Sequence, residues 1–181
     1  MRKKRVMTER RRLLFDQLNT PIGRLALLAD ENGQLRAVGW TEGHVRMQEQ
    51  LARRSRDRDL PLVPATNPGG LTARLIAYFE GDLAAIDGLS VAIAGTDFQR
   101  AVWRVLREIP CGETCSYREL ARRVGKPAAV RAVGAANRSN PVAIVVPCHR
   151  VIGANGSLTG YGGGLDRKRW LLAHEQRTAA I

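Results

Sequence analysis

The sequence predicts an α+β fold with two unlike halves, a small antiparallel sheet followed by a mainly helical region. Short apolar segments separated by turn residues occupy positions 13–40, whereas apolar residues recur at helical spacing from position 96 onward. Hydrophobic residues make up 44% and charged residues 25% of the 181 residues, which is typical of globular proteins with a packed core. We therefore expect a basic arm over 1–12, an α+β domain over 13–92 and a second domain over 93–181.

The first domain begins with a predicted three-stranded antiparallel meander over 13–40. The turn sequences TPIG at 20–23 and DENG at 30–33 separate its three apolar segments. Met47 and Leu51 among charged residues indicate a modest helix over 43–54. The stretch 55–70 is rich in charge, proline and glycine, so it is interpreted as a long connection.

A second helix of this domain is predicted after position 70. Four apolar residues recur there at helical spacing, and Gly81 can end the helix: Leu71, Leu75, Tyr78 and Phe79. No group of residues in this half has the pattern of a catalytic site. The predicted role of the first domain is therefore structural.

The helical half begins with a capping box, in which Thr96 can accept from the backbone N–H of Gln99 and the Gln99 side chain can reach back. The sequence SYRE at 116–119 repeats this chemistry, and its helix stops at Gly125. Pro127 restarts a helix that we expect to continue over 128–138. Two short helices around a glycine turn predict a helix-turn-helix. The helix that begins after Thr96 has one apolar face, and Trp103 is interpreted as a packing residue.

Charge is distributed unevenly along the chain, whose net charge is +12. Residues 1–12 carry seven basic and one acidic side chain, residues 13–92 eight and ten, and residues 93–181 fourteen and six, which gives +6, −2 and +8. A basic surface attracts DNA or RNA because it releases counterions from phosphates. An acidic membrane surface or general solubility would be the alternative explanation. The C-terminal half is thus the expected polyanion binder.

The chain contains no apolar stretch of the roughly 20 residues that a membrane-spanning helix needs. Its basic start also lacks the apolar segment of a secretory signal, so we expect a cytoplasmic protein. Three cysteines do not suit a disulfide framework, and at least one must stay unpaired.

The sharpest chemical signal is the apolar run 141–147 that leads to Cys148 and His149. Burial would keep such a thiol protonated, so a nucleophilic role requires a neighbouring base, for which His149 is nearest. Because adjacent side chains in a strand point to opposite sides, either the backbone turns at Pro147 or a water bridges the two groups. A carboxylate behind the histidine would complete a relay, and spacing does not choose among four: Glu175, Glu113, Glu119 and Asp166. The alternative is that Cys148 is a small core residue.

Other patterns are weaker. Cys111 and Cys115 lack a second close pair of ligands, and neither His44 nor His174 is suitably spaced, so we expect no metal site. The glycine-rich sequence at 160–164 lacks the Lys-Ser/Thr of a phosphate-binding loop and is interpreted as a loop that permits close approach. Arg131 stands alone among small residues of the predicted helix, where it could hold phosphates, enter a base stack or simply be solvated.

The motif PCHRV at 147–151, preceded by Asn140 and Pro141 and by the alanine-rich helix, resembles the O6-alkylguanine-DNA alkyltransferase family. Similarity extends over 96–175, including IPCG at 109–112 and WLLAHE at 170–175, and ATNPGG at 65–70 is similar to bacterial members of the Ogt type. The resemblance implies a ribonuclease H-like first domain and a winged-helix-like second one. It also implies a single-use transfer of an alkyl group from guanine O6, or less readily thymine O4, in double-stranded DNA to the protein's own Cys148.

The resemblance assigns roles to further residues. Glu175 would orient His149, which deprotonates Cys148 through a water; Asn140 would support the turn, and Tyr117 would assist proton delivery to the departing guanine. The helix would lie in the minor groove while Arg131 fills the stack of the flipped nucleotide. The other DNA-contacting residues would be Tyr117, Ala129, Ala132, Gly134, Ala135 and Arg138. The backbone carbonyls of Cys148 and Val151 would read the exocyclic amine, and the base pocket would be formed by Val151, Tyr161, Gly162 and Gly163.

Some relatives carry a hydroxyl side chain where this sequence has Gly162, so a roomier pocket is expected. We expect no metal, no cofactor and no membrane partner, and a monomer that can bind DNA cooperatively. Two other functions remain open: a helix-turn-helix regulator without alkyl transfer, and a cysteine hydrolase that turns over.

Overall fold

The computed structural model describes residues 12–41 and 60–179. The expected helix over 43–54 and residues 1–11 of the basic arm lie outside them. The meander is present, and its strands are β1 (Leu13–Thr20), β2 (Gly23–Asp30) and β3 (Leu35–Trp40). Its first turn is closed by the Thr20 hydroxyl, which donates to the Gly23 carbonyl. In the second turn the Asp30 carboxylate accepts from two backbone N–H groups, as expected for an Asx turn.

A fourth strand corrects the prediction of a three-stranded sheet. The strand β4 (Leu62–Pro64) pairs in parallel with β1, and the sheet order is β3-β2-β1-β4. It lies inside the stretch that was interpreted as a connection, because three residues are too few to show an alternating pattern. Pro64 has no N–H to donate, which suits the edge of a sheet.

The helix α1 (Leu71–Glu80) covers one face of this sheet. It ends at Gly81, whose φ of 112° lies in the left-handed region and allows the C-cap predicted from the sequence. Its buried face carries Leu71, Leu75 and Tyr78. The opposite face of the sheet has a smaller apolar cluster formed by Leu13, Ala26, Leu28 and Ala37.

In the described residues, four further α-helices lie in the C-terminal part of the chain. The capping box of α2 (Asp97–Leu106) is formed in both directions, since Gln99 N–H donates to Thr96 Oγ1 and Thr96 N–H donates to Gln99 Oε1. Trp103 is buried and donates to the Ala136 carbonyl at 2.9 Å, in agreement with a packing role. The last helix is α5 (Leu165–Ala179). Over the described ranges, none of the helices combines the length and hydrophobicity that a membrane crossing would need.

The predicted helix-turn-helix consists of α3 (Tyr117–Arg123) and α4 (Val130–Arg138), separated by Gly125 at φ 75°. Ser116 caps α3 as expected, but the Glu119 side chain pairs with Arg122 and Arg123 instead of reaching back. The helix α4 starts two residues later than predicted. Positions 127–129 form a turn in which Ala129 N–H donates to the Lys126 carbonyl, and Ala129 has no side chain able to cap the helix.

A two-stranded parallel ladder connects α3 to the segment that follows the thiol. It pairs β5 (Cys115–Ser116) with β6 (Val151–Ile152). The edge strand β3 also pairs with the C-terminal part: Val38 N–H donates to the Pro141 carbonyl, and Ala143 N–H donates to the Val38 carbonyl, both at 2.9 Å. The sheet therefore touches the segment that leads to Cys148.

Candidate active site

The segment 141–147 reaches Cys148 through consecutive turns rather than as a strand. Ile144 is fully buried and has a φ of 73°, which is a strained conformation for a β-branched residue. Val146 N–H donates to the Val142 carbonyl at 3.0 Å, which closes the turn. The chain then enters a single turn of 3₁₀ helix, Cys148–Arg150. The backbone thus turns at Pro147, which was one of the two arrangements expected.

Cys148 is buried and its sulfur has a specific partner. The Asn140 amide donates to Cys148 Sγ at 3.1 Å and to the Val146 carbonyl at 2.7 Å, so Asn140 holds the turn and the thiol together. Burial raises the pKa of Cys148, while the Asn140 hydrogen bond and the charge of Lys168 oppose that rise. The thiol is therefore protonated at rest, and a base is needed to activate it.

His149 supplies a base of defined tautomer. Its Nε2 lies 2.8 Å from Glu175 Oε1, and both side chains are fully buried. An ionised carboxylate can only accept, so Nε2 carries the hydrogen and Nδ1 keeps its lone pair. Nδ1 is buried with no hydrogen-bond partner in the described ranges. Burial lowers the pKa of His149 despite the attraction of Glu175, which keeps the imidazole neutral and able to accept a proton.

Glu175 is held by donors from several elements. Arg150 contacts both carboxylate oxygens at 2.9 Å, Tyr78 donates its hydroxyl to Oε1 at 2.8 Å, and Gly112 N–H donates to Oε2 at 3.3 Å. Burial alone would raise the pKa of Glu175, but His149 and Arg150 lower it strongly. The carboxylate is therefore ionised and fixed in place.

The other carboxylates that the sequence left open lie elsewhere. Glu119 is paired with arginines on α3, Asp166 pairs with Arg169 on the surface, and Glu113 is exposed. Spacing did not select Glu175 because α5 brings it to the turn from 26 residues away.

Tyr117, the first residue of α3, lies beside α4. Its hydroxyl is 3.4 Å from the carbonyls of Thr159 and Gly160, and a Cβ at Gly134 would lie 3.8 Å from its ring. Burial raises the pKa of Tyr117, so its hydroxyl is protonated and available as a donor. Gly134 of α4 thus lies next to this ring, at a distance where a Cβ would make an ordinary van der Waals contact.

The outer face of α4 is lined by small residues and arginines. Its exposed residues occupy positions i, i+1, i+4 and i+7: Arg131, Ala132, Ala135 and Arg138. The inner face buries Val133, Ala136 and Asn137. Ala129 is half-buried just before the helix. Arg131 makes no hydrogen bond or ion pair within the described parts of the chain, so its guanidinium is free to contact a ligand.

The expected base pocket combines exposed and tightly packed positions. Tyr161 lies edge-on to His149, with ring centroids 6.5 Å apart, and Val151 is fully buried. A Cβ at Gly162 would meet nothing within 4 Å, whereas a Cβ at Gly163 would lie 2.2 Å from Trp40 Nε1. Gly163 therefore serves the close approach of the sheet to this loop.

Both carbonyls expected to read the base already accept hydrogen bonds. The Cys148 carbonyl accepts from the Asn137 amide at 3.3 Å and from Val151 N–H, which engages both of its lone pairs. The Val151 carbonyl accepts from Lys168 Nζ at 2.5 Å.

Sequence reasoning missed four buried residues of this site: Tyr78, Asn137, Arg150 and Lys168. Lys168 was detectable, because with Leu171, Leu172 and Glu175 it follows the i, i+3, i+4, i+7 pattern of one buried helix face. A charged Arg150 inside an apolar motif was a second available signal. Nothing local marked Tyr78, which lies 97 residues from Glu175.

Among the described residues, the cysteines and histidines form no group of three potential metal ligands. All three cysteines are free thiols, and no group of three potential ligands occurs in the ranges 12–41 and 60–179. His44 lies outside these ranges. His174 instead bonds the Tyr78 carbonyl at 2.7 Å and stacks on Trp170.

A helix-turn-helix with an exposed basic and alanine-lined face, next to a buried thiol with a histidine–carboxylate pair, defines a DNA-binding protein with a nucleophilic cysteine. Two family models match the chain. The "6-O-methylguanine DNA methyltransferase, ribonuclease-like domain" matches residues 13–93, and the "6-O-methylguanine DNA methyltransferase, DNA binding domain" matches residues 97–177.

Individual relatives agree with these matches. Proteins named methylated-DNA–protein-cysteine methyltransferase are 54% identical over 164 residues in Salmonella typhimurium and 47% identical over 168 residues in Mycobacterium tuberculosis. Both alignments cover 91% of this chain, with 96% and 93% of the relatives. A crystal structure of Mycobacterium tuberculosis OGT in complex with DNA superposes with a TM-score of 0.77 at 42% identity, covering 91% of this chain and 94% of that one. The chain therefore belongs to the 6-O-methylguanine DNA methyltransferase family.

Proposed function

We propose that this protein repairs DNA by moving the alkyl group from O6 of guanine, or less readily from O4 of thymine, onto Cys148. The observation that carries the proposal is the buried thiol held by Asn140 next to the His149–Glu175 pair. The helix-turn-helix beside it supplies the DNA-binding surface. The names of the relatives support the same transfer from methylated DNA to a protein cysteine.

The reaction is a single displacement at carbon. The thiol proton passes to His149 Nδ1 through a water, and the sulfur attacks the alkyl carbon in line with its bond to O6. The S–C bond forms as the C–O bond breaks, and the electrons of that bond stay on the base. One proton, delivered with the help of Tyr117, leaves a neutral guanine. The product is a thioether without an acyl carbon for water to attack, so each molecule reacts once.

DNA recognition follows from the exposed face of α4. Short side chains at Ala132 and Ala135 let the helix backbone approach the minor groove. Arg131 would enter the stack that the flipped nucleotide leaves, which offsets part of a cost of a few kcal/mol. Arg138 would neutralise a phosphate, as would other arginines of the C-terminal part.

We extend the proposal to the domain organisation of the chain and to its cellular location. The chain would fold as two domains that meet near position 92, preceded by a basic arm over 1–12. It would act in the cytoplasm as a monomer that can bind DNA cooperatively, with Val151, Tyr161, Gly162 and Gly163 around the base.

Intact mass and peptide mapping after incubation with a duplex that contains O6-methylguanine test the proposal. We expect one added methyl group on Cys148, saturating at one per protein. Cys148→Ala should accept none and still bind the duplex. Cys115→Ala, which removes a buried thiol outside the site, should accept one. Folded protein that binds the duplex without gaining mass would instead favour a regulator without alkyl transfer.

A further inference from the structure

The sheet half of the molecule reaches the relay through Tyr78, near the end of α1. Tyr78 is fully buried, and its hydroxyl donates to Glu175 Oε1 at 2.8 Å. The same oxygen lies 2.8 Å from His149 Nε2. A tyrosine of the first half and the histidine beside Cys148 therefore share one acceptor atom.

Two further contacts fix Tyr78 against the helix that carries Glu175. His174 Nε2 lies 2.7 Å from the Tyr78 carbonyl oxygen, and the two rings meet edge to face with centroids 5.3 Å apart. Since His174 directly precedes Glu175, these contacts hold the tyrosine and the carboxylate in one arrangement. Tyr78 is therefore held by His174 through its backbone carbonyl and its ring, and by Glu175 through its hydroxyl.

We propose that Tyr78 is a positioning residue for alkyl transfer, which orients the Glu175 carboxylate for His149 and so makes the first half a component of the active centre. This inference rests on the proposed function, because it requires His149 to act as the base. A donor on Oε1 also weakens that oxygen as an acceptor. Removing the donor would let Glu175 stabilise the imidazolium more strongly, so His149 would become protonated at a higher pH.

Other ionisable groups face the pair and remain unchanged in the test. Glu175 is faced by Arg150 from the 3₁₀ turn and by Cys111 from the loop before β5, and His149 is faced by Lys168 of α5 and by Tyr161. Burial and the charge of Glu175 raise the pKa of Tyr78 well above its ordinary value. The hydroxyl consequently stays a donor throughout the neutral pH range, and the pH dependence reports on His149.

The variant Tyr78→Phe removes this hydrogen bond and keeps the ring. Thr72→Val is the matched control, because Thr72 is also buried on α1 and its hydroxyl donates to a carboxylate, Asp16, away from the relay. The readouts are the pH profile of single-turnover methyl transfer and the titration of the His149 imidazole by NMR without DNA. For Tyr78→Phe we expect transfer at neutral pH to fall about three- to tenfold, and both midpoints to rise by about half a pH unit.

Thr72→Val should leave the rate and the midpoints as in the wild type, even where it lowers the melting temperature. If the midpoints of Tyr78→Phe equalled those of Thr72→Val, and wild-type protein still transferred the methyl group, the positioning role of Tyr78 would be overturned. Wild-type protein that places no methyl group on Cys148 would overturn the proposed function itself. Failure of the positioning role is therefore seen by comparing the two variants, and failure of the proposed function is seen with the wild-type protein.

Discussion

The first part of the chain, before position 93, and the second part, after it, differ in the side chains that they bury. Of the seven buried polar or charged residues in the described ranges, six lie after position 93 and only Thr72 lies before it. Burial of such groups is costly unless they are paired, so their concentration indicates a candidate functional site. The first part buries mainly aliphatic and aromatic side chains, among them Trp40 and Tyr78.

The first part nevertheless contacts three segments of the site. The strand β3 pairs with the chain that leads to Cys148, Trp40 packs under Gly163, and Tyr78 bonds Glu175. Arg167 of α5 adds a connection, because its Nε donates to the Ile22 carbonyl and its guanidinium lies 4.4 Å from the Trp40 ring centre. One part of the molecule thus carries the groups that we propose react, while the other contacts the segments that hold them.

Glu175→Gln should have the largest effect, because it changes the carboxylate that both parts of the molecule contact. The amide keeps the shape but leaves the buried Arg150 cation without its counter-charge and weakens the hold on His149. We expect methyl transfer to fall by about 100-fold or more, and the free energy of unfolding to drop by about 3 kcal/mol or more. Single-turnover transfer and denaturant unfolding measure the two effects.

The pH dependence of that stability loss has a defined sign. The pKa of Glu175 is lowered in the folded state, so its contribution is present above the ordinary carboxyl range and is lost as the pH falls. The stability gap between wild type and Glu175→Gln should therefore narrow below about pH 4.5. Glu119→Gln, which changes a partly exposed carboxylate on the surface of α3, should leave transfer and stability nearly unchanged. Equal behaviour of the two variants would contradict a special role for the buried pair.

Arg131→Ala should have the next largest effect, and it separates DNA handling from chemistry within the second part. Without the guanidinium, nothing compensates for extrusion of the nucleotide, so transfer from duplex DNA should slow by about 10- to 100-fold. Transfer from a single strand with the same lesion should change much less. Arg104→Ala removes an equal charge from α2 and serves as the control. The same loss on both substrates would show that Arg131 acts by general attraction.

The local signals in the sequence predicted much of the fold. The turns at 20–23 and 30–33, the end of α1 at Gly81 and the capping box at Thr96 depend on neighbouring residues, and each is present. The strand β4 was missed because it consists of three residues whose pairing with β1 is decided by tertiary packing. The start of α4 was placed too early because alanines favour a helix in general, whereas Ala129 offers no cap.

The site was predictable only as far as local chemistry reaches. Cys148 and His149 stand out in an apolar run, but the choice of Glu175 by residues alone remained open among four carboxylates. That choice depends on how α5 packs against the 3₁₀ turn. The contributions of Tyr78 and Trp40 depend on contacts between distant parts of the chain, for which a sequence pattern carries no signal.

Gly163→Ala should have a smaller effect than Glu175→Gln and Arg131→Ala. It tests the contact between the sheet and the loop that contains Gly163. The new methyl carbon would lie 2.2 Å from Trp40 Nε1 and 2.7 Å from Tyr161 Cε1, so the loop or the indole must move. We expect a loss of about 1–3 kcal/mol in the free energy of unfolding, seen as a lower melting temperature, with transfer slowed only severalfold.

Gly162→Ala is the matched control for this change, since it adds the same methyl group at the adjacent position where nothing lies within 4 Å. Its melting temperature should equal that of the wild type. If both variants melted alike, the close approach of Trp40 would not constrain the loop, and restraint by the first part would be limited to Tyr78 and the β3 pairing. A loss confined to Gly163→Ala would instead show that the sheet supports the wall of the base pocket as well as the relay.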